Sequence, residues 1–506
     1  MTKRTTILTG FILVKFLLQY FLVNPSYDLH RDEFLHLDQA NHPAWGYLSV
    51  PPVTSWISYL IQLLGSSIFW VKFFPALFGA LTILVVWKTI EELKGNLYAL
   101  ILGATCLLLS VLLRLNFLYQ PNSLDVLCWA AMCFCIIRYF NREDATWLFL
   151  ASVVFAIGFL NKYNIVFLLL GLLPALAVTN QRRIFSERNF YLSVLLTLAL
   201  ISPNLYWQYN HHFPVFQHMR ELIATQLIHV NRWDFIKEQI FYFAGSLPAI
   251  IAALYGLLIY PPFRKYRFFF WTFIFTPAIF IFLRAKGYYA IGLYPVYIAF
   301  GSVYLGNILN RRYFEYLKPL PLALPLVLYA LLFHVYYSIE DPEIIIKNKN
   351  KYRSLGLLRW EDGRNHQLPQ DFADMLGWKE LARKAERAYH LMPKGSQTIV
   401  LCDNYGQAGA INYYVKDKSI KAVSFNADYI NWFNLRRKTN NVIRVKEYSS
   451  SQNELKETGG FFRRSAVADS VKNPMARECG TTIFVFEQAR IDVNQRLRSE
   501  IEEERK

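Results

Sequence analysis

Apolar residues dominate the first two thirds of this chain in long, nearly uninterrupted runs, whereas the last third alternates polar and apolar positions as a water-soluble domain does. A helix needs about 20 mostly apolar residues to cross the hydrocarbon core of a bilayer. Runs near that length fall at 6–23, 68–90, 97–115, 124–140, 146–160, 164–179, 190–206, 239–260, 268–283, 288–309 and 320–338. They predict about eleven spans, and the short pair flanking Lys162 reads as two tilted helices or one broken helical hairpin. After residue 338 come strand-like runs at 398–402 and 482–486, a helix-like run at 378–391, and a charged, frayed or helical tail from 490 to 506. The predicted fold class is an α-helical polytopic membrane bundle with a C-terminal extracytoplasmic α/β domain. The predicted domains are a transmembrane domain over 1–338, with interfacial helices at 28–64, and a soluble domain over 339–506.

Composition supports the membrane reading, with 54% hydrophobic, 17% aromatic and 18% charged residues and a mean hydropathy of +0.20. Lys and Arg cluster at one set of span ends (Lys3, Arg4, Lys88, Lys94, Arg138, Arg142, Arg182, Arg183, Arg188, Arg264, Lys265, Arg267, Arg311, Arg312 and Lys318). Cytoplasmic loops retain positive charge, so the N-terminus is expected inside the cell and the C-terminal domain outside. The first span, with no small-residue cleavage site after it, is expected to stay as an anchor. Its Lys15 must face the bundle interior or snorkel to the surface. Much of the net charge of +17 is then a basic face toward anionic lipid. Nucleic acid is not an expected partner, because the chain has neither an RNP-like motif nor zinc-finger spacing. Of the six cysteines, Cys106, Cys128, Cys133 and Cys135 lie in apolar runs. Cys402 and Cys479 share the external domain and could form a disulfide if the compartment is oxidising and the fold brings them within reach.

Candidate chemistry sits in the loops assigned to the external side. Asp32 and Glu33 follow the first span, and either is suited to take a proton from an attacking hydroxyl. The alternative is a solvated acidic pair at a helix N-terminus. The residues after them, including Trp45, Tyr47 and Trp56 with the helix-breaking Pro51-Pro52, are too apolar for an ordinary loop, so two short amphipathic pieces at the membrane surface are expected. His36, Asp38 and His42 are compatible with a divalent metal or with plain interfacial polarity. Asp125, in Gln120-Pro121-Asn122-Ser123-Leu124-Asp125, is a second acid or part of a helix cap. Lys162, Arg284 and Lys286 are cations at external span ends, suited to a lipid-linked phosphate or to headgroup snorkelling.

Taken together, Arg31-Asp32-Glu33 with Trp45-Gly46-Tyr47 and Pro51-Pro52, Gln120-Pro121 with Asp125 and Trp129, Asn161-Lys162-Tyr163, Pro203-Asn204-Leu205 with Trp207-Gln208 and His211, Lys286-Gly287-Tyr288-Tyr289, and Asn404-Tyr405-Gly406-Gln407-Ala408-Gly409-Ala410 resemble the bacterial members of glycosyltransferase family 39. This polytopic GT-C group includes protein mannosyltransferases and lipid A aminoarabinose transferases. The resemblance implies transfer of a sugar from a polyprenyl-phosphate donor to a hydroxyl of a glycan, lipid or protein, outside the bacterial plasma membrane. It assigns catalysis to Asp32, Glu33 and Asp125, and donor phosphate binding to Lys162, Arg284, Lys286 and Tyr288. Arg31, Tyr163, His211 and Tyr289 become substrate contacts; a divalent metal is an open cofactor, with no ligand set assigned. Ser49-Val50 before the proline pair, and Asn122, depart from the family pattern. The competing readings are a transporter or flippase of lipid-linked sugar and an inactive glycan-binding scaffold.

Overall fold

The computed structural model describes residues 2–22, 24–225, 227–336, 340–393 and 397–505. Apolar helices stand at each predicted span: Lys3–Phe21, Ile68–Glu92, Leu97–Leu108, Asn122–Arg142, Thr146–Asn161, Val166–Ala177, Arg188–Asn210, Leu247–Ile259, Phe268–Phe282, Tyr294–Ile308 and Pro319–Tyr336. By length and composition, five helices among the described residues can cross a membrane, or up to seven if each of two bent pairs is one span. By that criterion the expected count of about eleven is not confirmed. Three of the apolar helices, Leu97–Leu108, Thr146–Asn161 and Phe268–Phe282, are short, with 12, 16 and 15 residues. Lys162 marks a break, with a 3-10 turn at Tyr163–Ile165 between two helices.

The chain divides into two compact units, one formed by Met1–Val23, Val50–Thr54 and Phe69–Tyr337, the other by Asn24–Ser49, Ser55–Ile68 and Ser338–Lys506. In the first, Lys15 points inward: it is buried, and its Nζ donates to Gln19 Oε1 and Asn116 Oδ1, both at 2.8 Å.

The second unit contains a five-stranded mixed sheet, β1 (Gln397–Cys402), β2 (Ala422–Ser424), β3 (Thr439–Lys446), β4 (Phe462–Ser470) and β5 (Thr482–Ala489), in the order β2-β1-β3-β5-β4. β1 pairs in parallel with β2 and β3, while β5 runs antiparallel to β3 and β4. The helix Tyr405–Tyr414 makes the β1-to-β2 crossover that parallel pairing requires. Ile399, Leu401, Val442, Phe484 and Phe486 form a core with Val493 and Leu497 of the C-terminal helix Val493–Glu504. The tail thus begins as a packed helix. Cys402 is buried, Cys479 is exposed, and both thiols are free, so the possible disulfide is absent.

The first loop is part of this same unit. Its helix Arg31–Asp38 starts at His30 with a capping box, in which Glu33 accepts from the His30 N–H at 2.7 Å. Asp28 caps a second helix, Trp378–Leu391, by accepting from the N–H groups of Trp378 (3.0 Å) and Lys379 (3.2 Å); Gly377 at that cap has no side chain to do so. The helix Tyr405–Tyr414 lies directly on Arg31–Asp38, and glycine makes the approach possible. A Cβ at Gly409 would stand 2.6 Å from Phe34 Cβ and 2.7 Å from the Tyr429 hydroxyl, and one at Gly406 would stand 3.0 Å from Trp378. Gly409→Val is expected to destabilise the protein by about 1–3 kcal/mol through overpacking, seen as a lowered melting temperature. Gly460→Val, at a position with nothing nearby, is the matched control and should melt close to wild type.

Candidate functional site

The predicted residues fall into two clusters, one in each unit. In the second unit, Asp32 sits in the first turn of Arg31–Asp38, and its Oδ1 accepts from the Tyr405 hydroxyl at 2.6 Å. Its backbone N–H donates to His30 Nδ1 at 3.2 Å, and His30 Nε2 lies 3.7 Å from Asp374 Oδ2. Asp374 is in turn paired with Arg477 at 3.2 Å. The Arg31 guanidinium lies over the Tyr405 ring, 4.6 Å from its centre.

Burial opposes ionisation of Asp32, but His30, Arg31 and the Tyr405 hydroxyl outweigh it and hold the carboxyl below its ordinary value. Asp374 is the reverse case, with burial raising its pKa against Arg477, His30 and Arg31. The Asp32 side chain keeps 35% of its surface accessible, whereas Glu33 is fully buried in its capping role. One acid of the pair keeps an accessible face and the other shapes the helix that carries it.

Tyr405 is presented by the turn after β1. Asn404 caps the helix by accepting from Gln407 N–H at 3.0 Å, and its amide donates to Glu447 (2.7 Å) and Glu478 (3.1 Å). Glu478, itself buried, also accepts from Gln407 at 2.6 Å and Thr481 at 2.8 Å. The Asn404–Ala410 run is therefore both a cap and the source of a group on Asp32. His36, Asp38 and His42 do not converge: His36 faces Gln39 at 3.4 Å, Asp38 accepts from Asn412 at 2.6 Å, and His42 stacks on Trp432 at 4.1 Å. Among the described residues no three His, Cys, Asp or Glu side chains are grouped to hold a metal ion.

In the first unit, the runs around Asp125, Lys162, Asn204 and Lys286 meet. Asp125 is buried, accepting from Trp129 Nε1 at 3.0 Å and Asn164 Nδ2 at 2.9 Å, and the Asn164 amide also donates to the Tyr289 carbonyl at 2.9 Å. Lys162 Nζ donates to Asn122 Oδ1 at 2.7 Å and lies 5.1 and 4.7 Å from the ring centres of Tyr288 and Tyr289. Asn161 donates to the Pro121 carbonyl at 2.8 Å. Tyr163 donates to Asn204 at 3.0 Å and accepts from Gln208 at 2.9 Å. The Lys286–Tyr289 segment is gripped by the helix Arg232–Tyr242: Gln239 donates to the Gly287 carbonyl at 3.0 Å, and Glu238 occupies the space a Cβ at Gly287 would fill.

Two predicted residues lie apart from these contacts. Arg284 is exposed and left-handed (φ 53°) at a helix end. His211 is exposed and folded back on its own helix, stacked on Trp207 at 4.1 Å. Sequence reasoning missed His30, Asp374 and Arg477, which no local pattern joins. It also missed Asn164, although the polar run Asn161-Lys162-Tyr163-Asn164 between two apolar segments was a signal.

Residues 49–207 match the family described as dolichyl-phosphate-mannose-protein mannosyltransferase. Over 242 residues the chain is 23% identical to the lipid A galacturonosyltransferase RgtD of Rhizobium johnstonii, a match that covers 46% of this chain and about half (50%) of that relative. The solved structure of ArnT from Cupriavidus metallidurans bound to undecaprenyl phosphate superposes with a TM-score of 0.63 at 14% identity, over 95% of this chain and 98% of that one. The apo state of the same enzyme gives 0.63 at 13% identity, over 96% and 98%. The chain is an integral membrane protein with the GT-C fold. It resembles the mannosyltransferase family and ArnT, as its motifs led us to expect.

The second unit also supplies a test of its electrostatics. Asp428 is buried, accepting from Gln39 at 2.8 Å and Leu48 N–H at 2.7 Å, and burial lifts its pKa to about 6 against those two bonds. Its folded value lies above the unfolded one of about 3.9. Its contribution to stability is therefore complete below that unfolded value and lost as pH rises through 6. Asp428→Asn removes this titration, so the stability advantage of wild type over the variant is expected to shrink by roughly 1–3 kcal/mol between pH 4 and pH 8, as read by thermal unfolding.

Proposed function

We propose that this protein transfers a sugar from a polyprenyl-phosphate-linked donor to a hydroxyl of a glycan, lipid or protein, on the extracytoplasmic side of a bacterial plasma membrane. The observation that carries the reading is Asp32: an acid kept ionised by its neighbours, oriented by Tyr405, and still open to an incoming group. The GT-C fold and the likeness to mannosyltransferases and to ArnT support it.

In this reading the acceptor oxygen bonds to the anomeric carbon as the bond from that carbon to the phosphate oxygen breaks. A carboxylate with a lowered pKa is a weak base. It orients the hydroxyl first and takes its proton late, once bond formation has made that hydroxyl acidic. The departing polyprenyl phosphate gains negative charge, which Lys162 and Lys286 stabilise, with Tyr288 and Tyr289 flanking Lys162. Asp125, with both oxygens engaged, acts through Asn164 to position this segment. Glu33 acts through the capping box, and Arg31 through Tyr405. The basic loops are cytoplasmic and the second unit extracytoplasmic.

The test is transfer from a panel of labelled polyprenyl-phosphate sugars to extracted envelope material by the purified protein. Asp32→Asn is expected to lose about 10²–10⁴-fold in rate with an unchanged melting temperature. Tyr405→Phe removes a bond that lowers the Asp32 pKa, so it should lose less activity and move the acidic limb of its kcat/KM profile to higher pH. Lys162→Met should lower kcat as well as raise KM for the donor, because it removes a cation that meets the charge developing on the phosphate. Full turnover by Asp32→Asn would reject the role of Asp32, and a wild type that binds donors but transfers none would reject the reaction.

A further inference from the structure

The helix Trp378–Leu391 buries Trp378, Leu381, Ala382, Ala385 and Ala388 against the second unit. On its other side it presents Arg383 and Arg387, one turn apart, followed by His390 and Leu391. These residues and the segment Lys416-Asp417 line a shallow concavity of about 690 Å³. None of them has a role in the proposed transfer.

The groove's lining carries one more cation than acid, with Arg383, Arg387 and Lys416 against Glu386 and Asp417. Glu386 accepts from the backbone N–H groups of Lys416 and Asp417, each at 2.8 Å. Asp417 accepts from the Ser419 N–H at 3.0 Å and hydroxyl at 2.6 Å, and lies 3.9 Å from His390. Both acids thus hold the groove's wall in shape. Arg383, Arg387 and Lys416 are exposed and make no ion pair among the described residues. Elsewhere on the same helix Lys379 pairs with Asp28 at 3.0 Å, and Lys384 with Glu380 at 2.7 Å and Asp469 at 3.0 Å. The unpaired cations are those that face the concavity. Two arginines at i and i+4 repel each other, and an anion between them removes that repulsion. Guanidinium forks match phosphate oxygens in pairs. The volume lies within the range of small-molecule sites and exceeds what a lone phosphate fills, and the exposed Leu391 and the ring of His390 offer apolar surface to a sugar face.

We propose that this groove binds a phosphate-bearing ligand of sugar-phosphate size, with Arg383 and Arg387 gripping the phosphate and Lys416 closing the third side. The chemistry is shared by a soluble sugar phosphate and a phosphomonoester lipid headgroup. The two are separated by experiment on the full-length protein in phosphatidylcholine nanodiscs, without any sugar donor, so that the result is independent of the transfer reaction. One arm titrates glucose 1-phosphate, with glucose as the uncharged control, by calorimetry. The other measures co-sedimentation with phosphatidylcholine vesicles with and without phosphatidic acid. Wild type is expected to bind in one arm, which identifies the source. The double variant Arg383→Gln/Arg387→Gln should bind about tenfold or more weakly with an unchanged melting temperature. Lys416→Gln alone, on the opposite wall, should show a smaller loss and guards against a folding defect in the helix. Equal binding by wild type and both variants, glucose binding as well as its phosphate, or no binding by wild type in either arm would overturn the proposal.

Discussion

The hydrogen bond from Tyr405 to Asp32 depends on how closely two helices can lie, and much of the second unit is arranged around that approach. Gly406 and Gly409 remove the Cβ atoms that would meet Trp378 and Phe34, so Tyr405–Tyr414 settles on Arg31–Asp38. A buried or half-buried carboxylate without donors costs more than a hydrogen bond ordinarily contributes. Asp32 is therefore tolerable only with Tyr405, His30 and Arg31 beside it. The turn that delivers Tyr405 is fixed in its own right by Asn404, Gln407 and the buried Glu478. The accessible face of Asp32 is thus a consequence of packing, set by residues nearly four hundred positions along the chain.

The first unit solves a different problem with the same materials. Apolar helices that stop short expose backbone groups where there is little water to satisfy them. Asparagine side chains at the helix breaks take up that demand, Asn161 on the Pro121 carbonyl and Asn164 on the Tyr289 carbonyl. The Asn164 amide also holds Asp125, and between the two asparagines Lys162 donates to Asn122 beside the tyrosine pair. Polar residues that look like interruptions of an apolar pattern are, in three dimensions, what ties four separate segments into one cluster.

Helix positions in the first two thirds could be read directly, because a run of apolar side chains is a local property and its period and length survive folding. β1, β5, the helix Trp378–Leu391 and the helical tail were legible for the same reason. β2, with three residues, and β4, with a mostly exposed pattern, have no such signature, since edge strands are defined by their neighbours. Where each helix ends did not follow from apolarity alone, because ends depend on caps and breaks such as that at Lys162.

The residue types that carry chemistry were visible as short motifs: an acid pair, a lysine between apolar runs, a glycine-rich turn. Tertiary structure alone decided their division of labour. Asp32 and Glu33 are neighbours of the same charge, yet successive side chains on a helix point about 100° apart. One faces the cap and is buried, and the other faces Tyr405 and the surface. His30, Asp374 and Arg477 enter the same cluster from distant segments, and no one-dimensional pattern records such a meeting. Local apolar periodicity sets where helices form, whereas the environment of an ionisable group is a sum over everything packed against it, which exists only after folding.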